Sequence, residues 1–276
     1  MEIQAYYLIN ETNKALLRLK MKRLLIFAAI VLMAIANFSI ASAEWNYGIG
    51  TGLTSLNAKG DLGFNITLAG VGPAKFDVDL SPEDFNDLTR SAFGFGGYAT
   101  NKTWMIQYSL VNLELEDSIS TTVGAIPVST TIGLTRTGAE VTVGRPMVKN
   151  SSFVLSAYGG VRYTKHELII DVKAGALERH RTIYNNWIDA LIGLTATIPF
   201  AETWRWNTSL DVGFGGSNGT YTGKTGVTVP FLESWSITLQ AKYQAIDFEN
   251  GGKGDANWYL YDVDELDAGF VIAYNW

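Results

Sequence analysis

Polar and apolar residues alternate most cleanly at the end of the chain, where Phe270, Ile272, Tyr274 and Trp276 interleave with Gly269, Val271, Ala273 and Asn275. A period of two places the four large residues on one face of a strand. The period recurs in Trp204, Trp206, Thr208, Leu210, Val212 and Phe214, opposite Arg205, Asn207, Ser209, Asp211, Gly213 and Gly215. It returns in Trp235, Ile237, Leu239, Ala241 and Tyr243, opposite Ser236, Thr238, Gln240 and Lys242. One face suits lipid and the other suits water. A soluble sandwich alternates too, but it must build a core from its apolar faces; here charges stand on the opposite face of several strands, as in a transmembrane barrel.

Ten segments carry the strand pattern: 45–53, 91–100, 103–116, 130–147, 151–171, 187–199, 203–216, 220–230, 234–248 and 266–276. Short connections at 101–102, 148–150, 200–202 and 231–233 alternate with long ones at 54–90, 117–129, 172–186 and 249–265, and only 217–219 is a short outer connection. Short periplasmic turns and long outer loops are the habit of outer-membrane barrels. Trp104, Trp204 and Trp235 follow short turns and Trp276 ends the chain, so these four are the predicted interfacial anchors. Within the first long connection, Ser81 at a cap position, Pro82 at the first helical position and Glu83 with Asp84 in the first turn predict a short helix near 82–90. The fold class is all-β: a closed antiparallel transmembrane β-barrel of about ten strands, with eight as the alternative.

Composition narrows the function. Only 17% of the 276 residues are charged, against about a quarter in soluble domains, and there is no cysteine, which removes disulfides, thiolate metal sites and cysteine nucleophiles. Residues 21–43, MKRLLIFAAIVLMAIANFSIASA, have the basic start, apolar run and small-x-small end of a secretory signal peptide, with cleavage before Glu44. The apolar run, 24–36, is too short for a spanning helix. Residues 1–20 are either an extension upstream of a start at Met21 or a long n-region, and 44–276 form the barrel domain. Five of the 21 basic and two of the 27 acidic residues precede Glu44, which leaves 16 against 25, a formal charge of −9, in the mature part. Such a surface has no footprint for nucleic acid.

Carrying the alternation through the strands puts Glu140, Ser156, Tyr158, Arg162, Asp189, Arg205, Asp211, Lys224, Gln240 and Lys242 on the side away from lipid. The charged members, Glu140, Arg162, Asp189, Arg205, Asp211, Lys224 and Lys242, form the predicted polar network of the lumen, since unpaired charges there would cost several kcal/mol each. A catalytic alternative is a rim-located hydrolase centred on His166, with Asp189 or Asp171 across strands and Ser156 on the same face. A third alternative is a soluble periplasmic ligand-binding β protein. Asp262, Asp264, Glu265 and Asp267 lack the spacing of a calcium loop and read as a solvated acidic outer loop. Lys165, Lys173, Arg179 and Arg181 are basic rim residues suited to lipid phosphates. No cofactor and no resident metal are expected.

The stretches FDVDLSPEDFNDLTRSAFGFGGY (76–98), SAYGGVRYT (156–164), NNWIDALIGLTATIPFAETWRWNTSLDVGFGGSNGTY (185–221) and SWSITLQAKYQAIDFE (234–249) resemble, in order, the motifs of a family of Gram-negative outer-membrane proteins, small barrels loosely grouped with OmpA-like and OmpW-like proteins. Ala190, Thr195 and Lys242 stand where that family has proline, arginine and arginine. The resemblance implies location and architecture, a barrel in the outer membrane. The chain is expected to be a monomer in contact with outer-membrane lipid and lipopolysaccharide, and its aromatic last strand resembles the signal read by the barrel-assembly machinery. The resemblance implies no reaction. The expected function is non-catalytic, a structural or surface role with binding of a small ligand or narrow solute passage.

Overall fold

The structure, a computed structural model, describes residues 45–65, 73–123 and 126–276; the export signal at 21–43 and the segment 1–20 lie outside the described residues. The described chain forms strands β1 (Asn46–Asn65), β2 (Pro73–Leu80), β3 (Thr89–Thr100), β4 (Met105–Val123), β5 (Ile126–Lys149), β6 (Val154–Ala174), β7 (Leu177–Pro199), β8 (Arg205–Phe214), β9 (Gly219–Leu232), β10 (Trp235–Asn250) and β11 (Tyr259–Asn275), with one helix, α1 (Pro82–Leu88), between β2 and β3. Antiparallel neighbours follow chain order from β3 to β11, and β1 pairs with β11 from Gly48↔Asn275 to Phe64↔Tyr259. That last pairing closes the sheet on itself as a ring.

On its other side β1 has a divided partner: β3 along residues 46–51 and β2 along residues 58–65. The eleven strands therefore fill ten wall positions, which agrees with the expected barrel and excludes eight. The interruption is α1, seven residues long, started by a reciprocal cap in which Asp84 N donates to Ser81 Oγ at 3.2 Å and Ser81 N donates to Asp84 Oδ2 at 2.9 Å. Phe85 is its buried residue.

The strands run further than the sequence pattern suggests. The segments expected as long outer loops at 117–129 and 172–186 are the ends of the β4–β5 and β6–β7 hairpins, the connection at 249–265 shrinks to 251–258, and 54–90 holds the rest of β1, all of β2 and α1. The physical reason is an exchange of faces. In the lower part of β6, Leu155, Val161 and Tyr163 point outward and Ser156, Arg162 and Thr164 point inward; beyond His166 the order reverses, with Leu168 and Ile170 buried inside and Glu167 and Asp171 outside. In β11, Leu266, Phe270 and Ile272 face out below, whereas Val263, Tyr261 and Tyr259 are buried above and Asp262 and Asp264 face out. The wall keeps its period of two, but its outer solvent changes from hydrocarbon to water, so the apolar residues move from the outside to the inside.

Candidate functional site

The rim where β1 begins and β11 ends also carries the short turns 101–104, 150–153, 200–204 and 233–234. Two of these turns share one device: Asn101 Oδ1 accepts from the backbone N of Thr103 and Trp104 at 2.8 and 2.7 Å, and Asn150 Oδ1 accepts from Ser152 and Phe153 at 2.8 and 2.9 Å. In an outer-membrane barrel this rim is periplasmic. Trp104, Trp204, Trp235 and Trp276 all stand at it and are 41–59% exposed. Trp276 stacks between Tyr47 and Tyr274 at 5.7 and 5.8 Å. Above them Ile192, Leu194, Leu210, Val161 and Leu239 form an exposed apolar belt, and Tyr184, Tyr221 and Tyr243 stand outward near its upper border.

The interior is built in layers. Near the periplasmic rim, Tyr98 Oη donates to Asn275 Oδ1 at 2.9 Å and Asn275 Nδ2 donates to Ser236 Oγ at 3.1 Å. At mid-belt height Arg162, buried on β6, is the hub: its Nε donates to Glu140 Oε2 at 2.8 Å, Nη2 to Asp211 Oδ1 at 3.1 Å and Nη1 to Thr222 Oγ1 at 3.1 Å. Tyr158 Oη donates to Asp211 Oδ2 at 2.9 Å, and Lys224 Nζ lies 3.4 Å from Glu140 Oε1. Lys242 pairs separately with Asp267 at 2.7 Å. Higher again, Arg136 pairs with Glu265, whose Oε1 also accepts from Tyr261 Oη at 2.7 Å. Above this lies a cluster of buried apolar residues that includes Leu56, Phe64, Phe85, Leu168, Trp187, Phe248 and Tyr259.

This packing is uneven. Tyr158, Arg162, Asp189 and Asp211 on β6 to β8 are buried, whereas Thr54, Gln107, Ser109 and Gln240, which share the inward face of β1, β4 and β10, are exposed, and inward Val111 is 46% exposed. The lower interior thus contains an accessible polar chamber beside the charge network, beneath an apolar roof.

Of the residues predicted from sequence, Glu140, Arg162, Asp211 and Lys224 meet in one network. Lys242 faces inward in an ion pair of its own. Two others lie apart from that network. Asp189 is directly opposite Arg162 in the ladder, yet its Oδ1 accepts from Gly216 N, Ser217 N and Ser217 Oγ, so it fastens the outer β8–β9 turn. Arg205 is exposed at the periplasmic end of β8. The sequence reading also missed Arg136 and misplaced Glu265 and Asp267, which belong inside the barrel and not to an acidic outer loop. The signal that finds them is parity: counted back from outward Phe270, residues 267 and 265 fall on the inward face. Only Asp262 and Asp264 are outside.

The hydrolase constellation is not assembled. His166 is 1% exposed, its Nδ1 bonds to Tyr259 Oη at 2.8 Å, and the rings of Trp187 and Tyr261 lie edge-on at 5.0 and 4.6 Å. Ser156 shares its face but is ten residues away along one strand, roughly 33 Å. Asp171 faces outward and bonds to His180 Nδ1 at 2.6 Å.

A scan against protein-family models matched none, and a search of curated proteins found no relative. Solved structures give likenesses of fold. The outer membrane protease OmpT from Escherichia coli is similar with a TM-score of 0.53 at 7% identity, over 86% of this chain and 99% of that one. The translocator domain of the autotransporter NalP from Neisseria meningitidis has a TM-score of 0.43 at 12% identity, over 90% of this chain and 94% of that one. The attachment invasion locus protein Ail of Yersinia pestis has a TM-score of 0.35 at 11% identity, over 84% of this chain and 99% of that one. The fold is that of an outer-membrane β-barrel. With its apolar belt between a tryptophan-rich rim and a tyrosine border, the chain is an integral protein of the outer membrane; a soluble periplasmic protein would expose that belt to water.

Proposed function

We propose that this barrel is non-catalytic and monomeric, and that it holds a small ligand in its lower interior without forming an open pore. The observation that carries the reading is the contrast between the two halves of the interior. Thr54, Gln107, Ser109 and Gln240 remain exposed below, while Phe64, Leu168, Tyr259 and Val263, each at most 1% exposed, seal the space above. An ion crossing from the outside would have to pass that apolar roof, and the paired Arg136 and Glu265 beneath it. The enclosure of His166 supports the absence of hydrolysis, because a general base needs access to substrate or water.

The test is planar-bilayer recording together with native mass spectrometry of the barrel extracted in its folded state from outer membranes with detergent. The reading expects conductance at baseline and a bound small molecule released on unfolding. Well-resolved conductance steps would refute the sealed roof, and turnover of ester or peptide substrates that His166→Gln abolishes would restore the hydrolase. Contacts with lipopolysaccharide through Lys173 and Arg179, and docking of the last strand on the assembly machinery, belong to the same proposal.

A further inference from the structure

The divided partner of β1 leaves a break in the hydrogen-bond ladder of the wall. β1 and β3 are paired up to Thr51↔Phe95, and β1 next meets a strand on that side at Ala58, which pairs with Leu80 of β2. Between these points residues 52–57 of β1 and 89–94 of β3 form no ladder with each other, although β1 stays paired to β11 there and β3 to β4. The strands part just above a single bond, from Thr51 Oγ1 to Gly94 O at 2.6 Å. At the top of the parting sits α1, with Phe85 buried in the same cluster as Leu56 and Leu115. The helix acts as a wedge and a lintel.

The depth of this parting is fixed by register. Residues 52–57 pair with 266–271 of β11, where outward Leu266 is 52% exposed in the apolar belt. The parting therefore lies in the outer leaflet and reaches the headgroup border. Backbone groups that lose their ladder cannot face hydrocarbon; at that depth they are tolerated where they line a polar or water-filled space. Such a space lies behind them. Thr54, Gly269, Gln240 and Gly226 stand in one row across β1, β11, β10 and β9, an uncharged inner surface of hydroxyl, amide and bare backbone. Inward Val111 and Ala92 on the other side are exposed, as is Thr54. On the outside the parting is flanked by Leu53, 64% exposed, and Phe93, 54% exposed.

We propose that the parting between β1 and β3 is a lateral port through which a single-chain amphiphile of the outer leaflet inserts its uncharged polar head into the interior chamber. The head meets Thr54, Gln240 and the unladdered backbone. The hydrocarbon chain stays against Leu53 and Phe93 at the membrane face. The proposal deepens the ligand-holding reading and rests on it for the chamber, while the route of access is a separate matter.

The chain has no cysteine, so single cysteines can report on the port. The barrel is refolded into phosphatidylcholine vesicles as Thr54→Cys, as lipid-facing Leu210→Cys and as Asn207→Cys, an inward position near the periplasmic rim. Each variant is offered N-hexadecylmaleimide dissolved in the bilayer and, separately, a sulfonated maleimide in water. The port predicts that the hydrocarbon probe labels Thr54→Cys about as fast as Leu210→Cys and at least about tenfold faster than Asn207→Cys, since an intact ladder offers hydrocarbon no path inward. Labelling of Thr54→Cys no faster than Asn207→Cys overturns the port. If Thr54→Cys does not give the heat-shifted migration of a folded barrel, Ala92→Cys on the facing side is read in the same way. Failure of the port alone leaves Gln240→Cys reactive toward the sulfonated probe, whereas conductance steps in planar bilayers overturn the sealed chamber whatever Thr54→Cys does.

Discussion

Removing the carboxylate of Glu265 should be among the most damaging single changes in the barrel. Its side chain is 1% exposed and pairs with Arg136, itself 14% exposed, so the alanine variant leaves a largely buried guanidinium without its ion-pair partner. Breaking a buried pair from one side costs about 3–5 kcal/mol, and the residual access of water to Arg136 places the expected value near 3. Tyr261 Oη, which donates to the same oxygen at 2.7 Å, loses its acceptor and adds about 1 kcal/mol. Glu265→Ala should therefore lose about 4 kcal/mol, whereas Lys59→Ala, which breaks an exposed pair with Asp79, should lose at most about 1. Urea unfolding in lipid vesicles, followed by tryptophan fluorescence and by heat-shifted electrophoretic migration, measures both. The double variant Arg136→Met with Glu265→Leu removes both charges and should recover most of the loss. A loss for Glu265→Ala no larger than that for Lys59→Ala, or a double variant as unstable as the single, would refute the claim that this pair is buried and coupled.

Two other perturbations test the outer face. Asp247, Asp262, Asp61 and Asp77 are direct neighbours across β10, β11, β1 and β2, so Asp262→Asn removes two like-charge contacts and should stabilise by about 0.5–1 kcal/mol. Burial first, then Asp247 and Asp61, push the Asp262 carboxyl above its ordinary value. A carboxyl raised in the folded state holds its proton more tightly folded than unfolded, so the destabilising contribution of Asp262 fades as pH falls through the carboxylate range, and the advantage of Asp262→Asn over the wild type should shrink toward low pH in urea titrations at stepped pH. Leu210 is 68% exposed on the lipid face, and Leu210→Arg should cost about 2–4 kcal/mol in vesicles; an unchanged midpoint would place β8 outside the membrane.

The half of the barrel inside the membrane was legible because lipid imposes one rule along its whole height. β8 reads Trp206, Thr208, Leu210, Val212 and Phe214 outward without a break, and its observed span, Arg205–Phe214, lies within the predicted 203–216. The outer half was not legible by that rule. Around Tyr163 to Leu168 the apolar side of β6 changes over, and both faces carry polar residues for several positions. There the pattern resembles a loop, while the strand is held by backbone pairing with β5 and β7 that side-chain polarity does not report. The helix was readable because a cap is local: Ser81, Pro82 and Asp84 lie within four residues.

The interior was legible as a set of inward positions and not as a set of partners. Arg162 stands directly opposite both Glu140 on β5 and Asp189 on β7, yet it pairs with Glu140 and reaches past Asp189 to Asp211 on β8. Asp189 is committed to three donors of the turn at 215–218, a geometric need that arises because β8 and β9 stop short while their neighbours continue outward. Partner choice in a closed barrel depends on the curvature that brings non-adjacent strands together, and alternation carries no information about curvature. The parting of β1 from β3 belongs to the same class. Residues 52–57 and 89–94 carry no unusual sequence signal, and the parting exists because α1 interrupts the partner of β1. The feature with most bearing on access to the interior is thus a property of pairing, set by a seven-residue helix whose own start the sequence declares plainly.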